Sequence, residues 1–265
     1  ELHKNAPLVA VWDDHEFTND TWKRGAENHS MDGSEGDFFA RRSAAIKAYF
    51  EWMPIREQGS KRKIFREFKI GNLLHLLMLD TRQYGRDKQI QPLEYLTKSG
   101  FNQAKFYNDL NDINRNLLGP SQIAWIENAI SKSNEKWTIF GQQVLMTKLK
   151  FPDISNALEG ISDQLKPYIQ LIKLGLPSNL DAWDGYPKER ERLYKIMQSG
   201  GMQQDEFDSC LSDINLENDL LEGVMNAQRE FNIRSTPSFI VNGILYSGNK
   251  NIKEFRQIID KILSQ

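Results

Sequence analysis

Four ionisable residues in a row, Asp13-Asp14-His15-Glu16, followed by Asn19 and Asp20, gather carboxylate oxygens, an imidazole and an amide within eight positions. They come directly after the apolar, β-branched run Leu8-Val9-Ala10-Val11-Trp12, which predicts a buried strand emptying into a polar loop. In α/β sheets, ligands sit at the carboxyl ends of strands. Hard oxygen donors with one imidazole suit a divalent or trivalent metal, which can polarise a phosphoryl group and acidify a bound water. The same residues also fit a solvated loop in which an aspartate caps the next helix. A second cluster, Thr236-Pro237 before the apolar run Ser238 to Val241 and the turn pair Asn242-Gly243, reads as a proline loop leading into a hairpin. Read from the residues, its proline is the trans start of an edge strand.

The elements that must position these groups alternate between strand and helix, which predicts α/β layering. From Asp37 to Met53, Phe38, Ala45, Tyr49 and Trp52, with Phe39, Ile46, Phe50 and Met53, recur at helical spacing, and Pro54 ends the run. Ile64 to Ile70 and Leu73 to Leu79 predict two strands around Gly71-Asn72, followed by Asp80-Thr81-Arg82. An Asp-Arg pair at a strand end ordinarily fixes a turn, and that is the reading given to Asp80 and Arg82. Residues 86–116 are polar and weakly periodic, which predicts a long surface excursion. Pro120 opens a helix through Ile130, and Trp137 to Val144 predicts another buried strand. Beyond Tyr194, helices are expected at Gln203 to Leu211 and Glu217 to Phe231. A closing helix carries Phe255, Ile258, Ile259 and Ile262 on one stripe, with Asn251 and Glu254 as its capping pair.

Composition narrows the partners. The 265 residues carry 39% hydrophobic and 26% charged side chains at a net charge of -2, with no long basic stripe, so nothing points to nucleic acid or an anionic membrane. No apolar run approaches the roughly 20 residues of a membrane span, and Glu1-Leu2-His3-Lys4 lacks the order of a signal peptide. Cys210 is the single cysteine, so an internal disulfide and a Cys-x-x-Cys pair are both excluded. A lone cysteine on a helix is ordinarily a small buried hydrophobe.

Taken together, Val11-Trp12-Asp13-Asp14-His15-Glu16 with Asn19-Asp20, Tyr49 through Arg56, Leu79-Asp80-Thr81-Arg82, Gly141-Gln142-Gln143-Val144 and Leu180 through Pro187 resemble the PhoD-like alkaline phosphatase and phosphodiesterase family, over residues 6 to 194. The resemblance implies a metallophosphoesterase fold of two packed sheets flanked by helices. It implies a phosphate ester of a small molecule as substrate, and calcium and iron as metals. It places Asp14, with Asp13, as metal ligand, and His15, with Asn19, at the phosphate or leaving group. Glu16, Asp184 and Tyr186 become support or pocket residues. It also implies further ligand segments before Glu1 and a Gly-Asp-x-His segment after residue 194, so this chain carries one wall of the site. From Ile196 onward, Gly201-Met202, Phe231-Asn232-Ile233, Ser235 through Gly243 and Phe255 to Leu263 resemble the C-terminal part of the DsbA-like thioredoxin family, whose reactive dithiol is missing. There Thr236 and Pro237 are the substrate-facing loop. Both families are exported, which implies a periplasmic or extracellular setting.

The expectation is therefore an α/β chain in two parts. Residues 1–194 form a partial metallophosphoesterase-like domain of layered sheets with helices. Residues 195–265 form a partial thioredoxin-like segment of a hairpin and helices. The function implied is metal-dependent phosphomonoesterase or phosphodiesterase. The alternatives are a catalytically inactive fusion of two partial proteins, or a thiol-disulfide oxidoreductase remnant.

Overall fold

A computed structural model describes residues 8–30, 32–53, 55–56, 59–60, 63–149, 166–201, 203–211, 222–223, 225–226, 229–230, 232–233, 238–248 and 252–263. The chain divides into two compact units, Glu1–Gln203 and Gln204–Gln265. The first therefore extends past residue 194, for a physical reason: the helix over Pro187–Ser199 runs through that position and buries Leu193 and Ile196 in the first unit's core.

In the first unit, α1 (Phe38–Trp52) starts at Asp37, whose carboxylate accepts the Ala40 amide at 2.7 Å. Its buried face is Phe38, Arg42 and Ile46, one residue per turn, whereas Phe39 and Trp52 face solvent. The stripe is narrower than the apolar spacing predicts because Arg42 takes one of its positions. Strands β1 (Arg66–Ile70) and β2 (Leu74–Met78) pair antiparallel across Gly71, which turns with φ 56. A two-residue hairpin, β3 (Leu96–Thr97) and β4 (Gly100–Phe101), then leads into α2 (Gln103–Leu110) and α3 (Pro120–Ser131). Strand β5 (Trp137–Gly141) returns parallel to β2, so the sheet order is β1-β2-β5. The helices α4 (Lys166–Lys173) and α5 (Pro187–Ser199) complete the unit.

The main core joins Leu77 and Leu79 to Ile123, Ile126 and Ile130 of α3 and to Trp183, Leu193 and Ile196. Three expectations are corrected. Leu8 to Trp12 belongs to no strand, and Leu8 and Val9 are exposed. Side chains hold the run instead, Arg66 Nη2 donating to the Ala10 carbonyl at 2.7 Å and Gln143 Nε2 to that of Trp12 at 2.7 Å. Strand β5 is not buried, since Trp137 and Ile139 lie on its open side. Residues 86–116 are not a surface excursion. Ile90, Tyr95, Phe106 and Leu110 build a second core with Leu171, Leu176 and Leu180, and elements this short show no periodicity to detect.

In the second unit, α6 (Gln204–Leu211) carries Cys210. Strands β6 (Ser238–Val241) and β7 (Ile244–Ser247) pair around Asn242 and Gly243, both left-handed. Phe239 meets Phe255 of α7 (Ile252–Leu263) edge to face at 4.8 Å. Thr236, Pro237, Asn251 and much of the expected helix from Glu217 to Phe231 lie outside the described residues. The architecture is α/β, and no described helix is long and apolar enough to cross a membrane.

Candidate functional site

The polar loop forms because Asp14 folds it around its own oxygens. The Asp14 carbonyl accepts the amides of Phe17 and Thr18, and its Oδ2 accepts the Asp20 amide at 2.9 Å. Glu16 Oε2 accepts the Asp13 amide at 2.8 Å. Asp20 turns with φ 49, a conformation Asp tolerates because its short side chain can bond locally. Asp14 is buried while the His15 side chain remains 80% exposed, so the loop anchors one group and presents the other.

Arg82 anchors the loop from the scaffold side. Its guanidinium is buried, with Nε donating to Asp13 Oδ1 at 2.7 Å and Nη1 to Asp181 Oδ1 at 2.8 Å, and Nη2 lies 3.7 Å from Asp14 Oδ1. Arg86, fully buried, donates Nη2 to the Asp181 carbonyl at 2.7 Å and also to its Oδ1, so one carboxylate oxygen bridges two arginines. Asp80 fixes the turn, as its position predicts, accepting the amides of Arg82 and Gln83 at 2.9 and 2.8 Å. The Arg82 guanidinium, however, reaches the loop, a role its sequence position gave no reason to assign. Spacing carries no signal for it, since Asp13 is 69 residues away and Asp181 99. Gln143 was equally silent: its amide spans the carbonyls of Trp12 and Leu79.

Electrostatics follow from these contacts. Burial would raise the Asp14 carboxyl, but the Asp20 amide and the nearby Arg82 and His15 charges outweigh it and hold the group below its ordinary value. Asp20 is pushed up by burial and then by Asp181 and Glu27. His15 is raised by its bond to Asn19, Nε2 to Oδ1 at 3.0 Å, and by Asp14, whose Oδ2 lies 3.9 Å from the ring. Asn19 also donates to Glu27 Oε2 at 2.6 Å, which fixes its amide orientation.

The structure thus brings Asp13, Asp14, His15, Glu16 and Asn19 together. The polar atoms of the other two support residues are engaged by the scaffold. Asp184 accepts Arg190 Nη1 at 2.7 Å and the Leu149 amide at 2.8 Å, and the Tyr186 hydroxyl donates to the Asp87 carbonyl at 2.7 Å. The other described histidines serve elsewhere, His29 with Arg41 and His75 between Glu67 and Ser133. As a metal centre this donor set is insufficient by itself. Among the described residues no group of three or more His, Cys, Asp or Glu could hold an ion, and Asp13 is spent on Arg82. Asp14 is itself bonded to the Asp20 amide, and a catalytic metal site needs several ligands. What the arrangement offers chemically is an exposed imidazole, biased towards its protonated form, beside an ionised carboxylate.

Comparison with known proteins bears on the family of the chain. Alkaline phosphatase D of Bacillus subtilis is 31% identical over 201 residues, 74% of this chain and 29% of its own length. A solved structure of PhoD superposes with a TM-score of 0.52 at 29% identity, covering 72% of this chain and 32% of that one. The chain therefore spans about a third of the length of these relatives. A Rickettsia bellii protein named as a protein-disulfide oxidoreductase is 33% identical over 85 residues, 32% of either chain. The PhoD-like phosphatase profile matches residues 1–205, and the chain belongs to that family.

Proposed function

We propose that residues 1–203 are one wall of a PhoD-type phosphate-ester hydrolase, in which His15 and Asn19 face the phosphoryl group and Asp14 is, among the described residues, the wall's single metal ligand. The observation that carries this reading is the contrast within the loop: Asp14 is buried and clamped while its neighbour His15 stands exposed beside it. A protonated imidazole there can donate to a phosphoryl oxygen or to a departing alkoxide. Asp13 and Glu16 hold the loop's shape. Calcium and iron are the metals proposed from the family resemblance, and a small phosphate ester is the substrate. Metal-assisted hydrolysis needs an ion held in fixed geometry by several ligands, and among the described residues this wall offers one.

The chain as it stands is therefore expected to hydrolyse phosphate esters weakly or not at all. The test is hydrolysis of an aryl phosphate monoester and diester with added calcium, iron, manganese and zinc, for the parent chain and for Asp14→Ala and His15→Ala. A rate at background is the expected result. A clear metal-dependent rate abolished by both substitutions would overturn the single-wall reading and make this chain a complete enzyme.

The partial match to disulfide oxidoreductases motivates a second proposal, that the segment from about residue 195 derives from a DsbA-like thioredoxin fold. Its single cysteine cannot cycle between dithiol and disulfide, so no oxidoreductase turnover is expected of it.

A further inference from the structure

Strand β5 closes one side of the three-stranded sheet, and among the described residues its outer edge has no partner strand. The two edges of this sheet are unlike. The opposite edge, β1, carries Arg66, Glu67 and Lys69, the kind of charge that ordinarily protects an edge from pairing. β5 is Trp137-Thr138-Ile139-Phe140-Gly141, with neither a charge nor a proline, and its register with β2 runs without a bulge. Trp137 and Ile139, on one face, are 59% and 48% exposed. The ladder decides which backbone groups the edge offers. The Trp137 amide donates to the Leu73 carbonyl at 2.9 Å, and the Gly141 carbonyl accepts the Leu79 amide at 2.8 Å. In a parallel ladder alternate residues turn both backbone groups to the same neighbour. Trp137, Ile139 and Gly141 therefore face β2, and Thr138 and Phe140 present their N–H and C=O groups outward.

Such a row of alternating donors and acceptors complements its own image turned through a twofold axis. We propose that β5 pairs antiparallel with β5 of a second copy of this chain, about an axis through Ile139. Thr138 then lies opposite Phe140 of the second copy, Phe140 lies opposite its Thr138, and each pair exchanges both N–H···O bonds. The register is set by what is free. An axis at Thr138 would bring Phe140 against Lys136, whose amide is spent on the Asn72 carbonyl. An axis at Phe140 would bring Thr138 against Gln142, beyond the end of the strand. With the axis at Ile139, apolar side chains meet and no charge on the strand is set against its like. One pair of short strands buries far less than the roughly 800 Å² per partner of a standard interface, so the dimer dissociates on dilution.

The test is sedimentation velocity of the intact chain across a dilution series, in which the parent is expected to pass from dimer to monomer. Thr138→Pro deletes an outward N–H that β2 does not use and that an edge strand can spare. It is expected to weaken the dimer about tenfold or more, whereas Thr138→Val keeps that N–H and is expected to match the parent. Ile139→Lys sets two ammonium groups against each other at the axis and is expected to leave monomer alone. In a Cys210→Ser background, Ile139→Cys is expected to cross-link on mild oxidation, since directly opposed residues without mutual hydrogen bonds lie about 4.5 Å apart at Cα. Thr138→Cys, diagonal to its counterpart, is not. A chain that stays monomeric throughout the series, or a dimer indifferent to both Thr138→Pro and Ile139→Lys, would overturn the proposal. Cross-linking through Thr138→Cys in place of Ile139→Cys would overturn it as well.

Discussion

Replacing Arg82 with methionine removes the cation that ties the acidic loop to the scaffold, and the cost can be worked out contact by contact. Cutting one partner from a buried ion pair costs about 3–5 kcal/mol, because the remaining charge is left without compensation. Here the three carboxylates are not equally stranded. Asp13, with its side chain 43% exposed, rehydrates and adds about 1 kcal/mol or less. Asp181 keeps Arg86, and Asp14, 8% exposed in its side chain, keeps the Asp20 amide. The loss is therefore expected at about 2–4 kcal/mol, below the upper end for a fully stranded charge. Urea unfolding followed by tryptophan fluorescence reads it directly, and the first unit's melting temperature is expected to fall by roughly 5–15 °C. Asp13→Asn is the control and should cost about 1 kcal/mol or less.

The same variant carries a pH signature. Asp14 is held below its ordinary value of 3.8 in the folded chain, so its contribution is present above that value and lost as pH falls through the lower, folded one. Arg82 is one of the causes of that depression. The stability gap between parent and variant is thus expected to be full at neutral pH and to narrow below about pH 4. A loss under about 1 kcal/mol at pH 7 would refute the clamp, because a buried guanidinium between three carboxylates cannot be that cheap to remove.

His15 is expected to titrate above the ordinary 6.5 by NMR, and Asn19→Ala to lower it, since the Asn19 bond is the first cause of the shift; an unmoved midpoint would remove Asn19 from the site. A methyl group on Gly85 would lie 1.9 Å from the Leu118 carbonyl oxygen, so Gly85→Ala is expected to cost about 1–3 kcal/mol in the same urea experiment, and a neutral result would mean that the two backbones separate freely. Limited proteolysis is expected to cut first between Ser199 and Gln204, where the compact units divide, and early cleavage within α3 or α5 would contradict that division.

How much of this was legible in the sequence depends on how local each cause is. Helix α3 was readable because Pro120 presets its first turn, and the β1–β2 hairpin because Gly71 permits the turn φ. The acidic loop was equally plain, since Asp13 to Asp20 bond largely among themselves. The second core escaped because Ile90, Tyr95, Phe106 and Leu110 sit on elements too short to show a period. Leu8 to Trp12 misled because β-branched residues report that a run is extended, while pairing depends on whether a neighbouring strand is there to take it. Arg82 was the deepest omission, and its cause is general. An arginine's function is set by what its guanidinium meets, and here that is Asp13 and Asp181, brought together only after the β2 end and the loop before α5 have packed. The loop's own bonds, the Asp20 amide to Asp14 among them, are encoded in eight consecutive residues, whereas the Arg82 charge that adds to that bond in keeping Asp14 ionised is encoded in the fold.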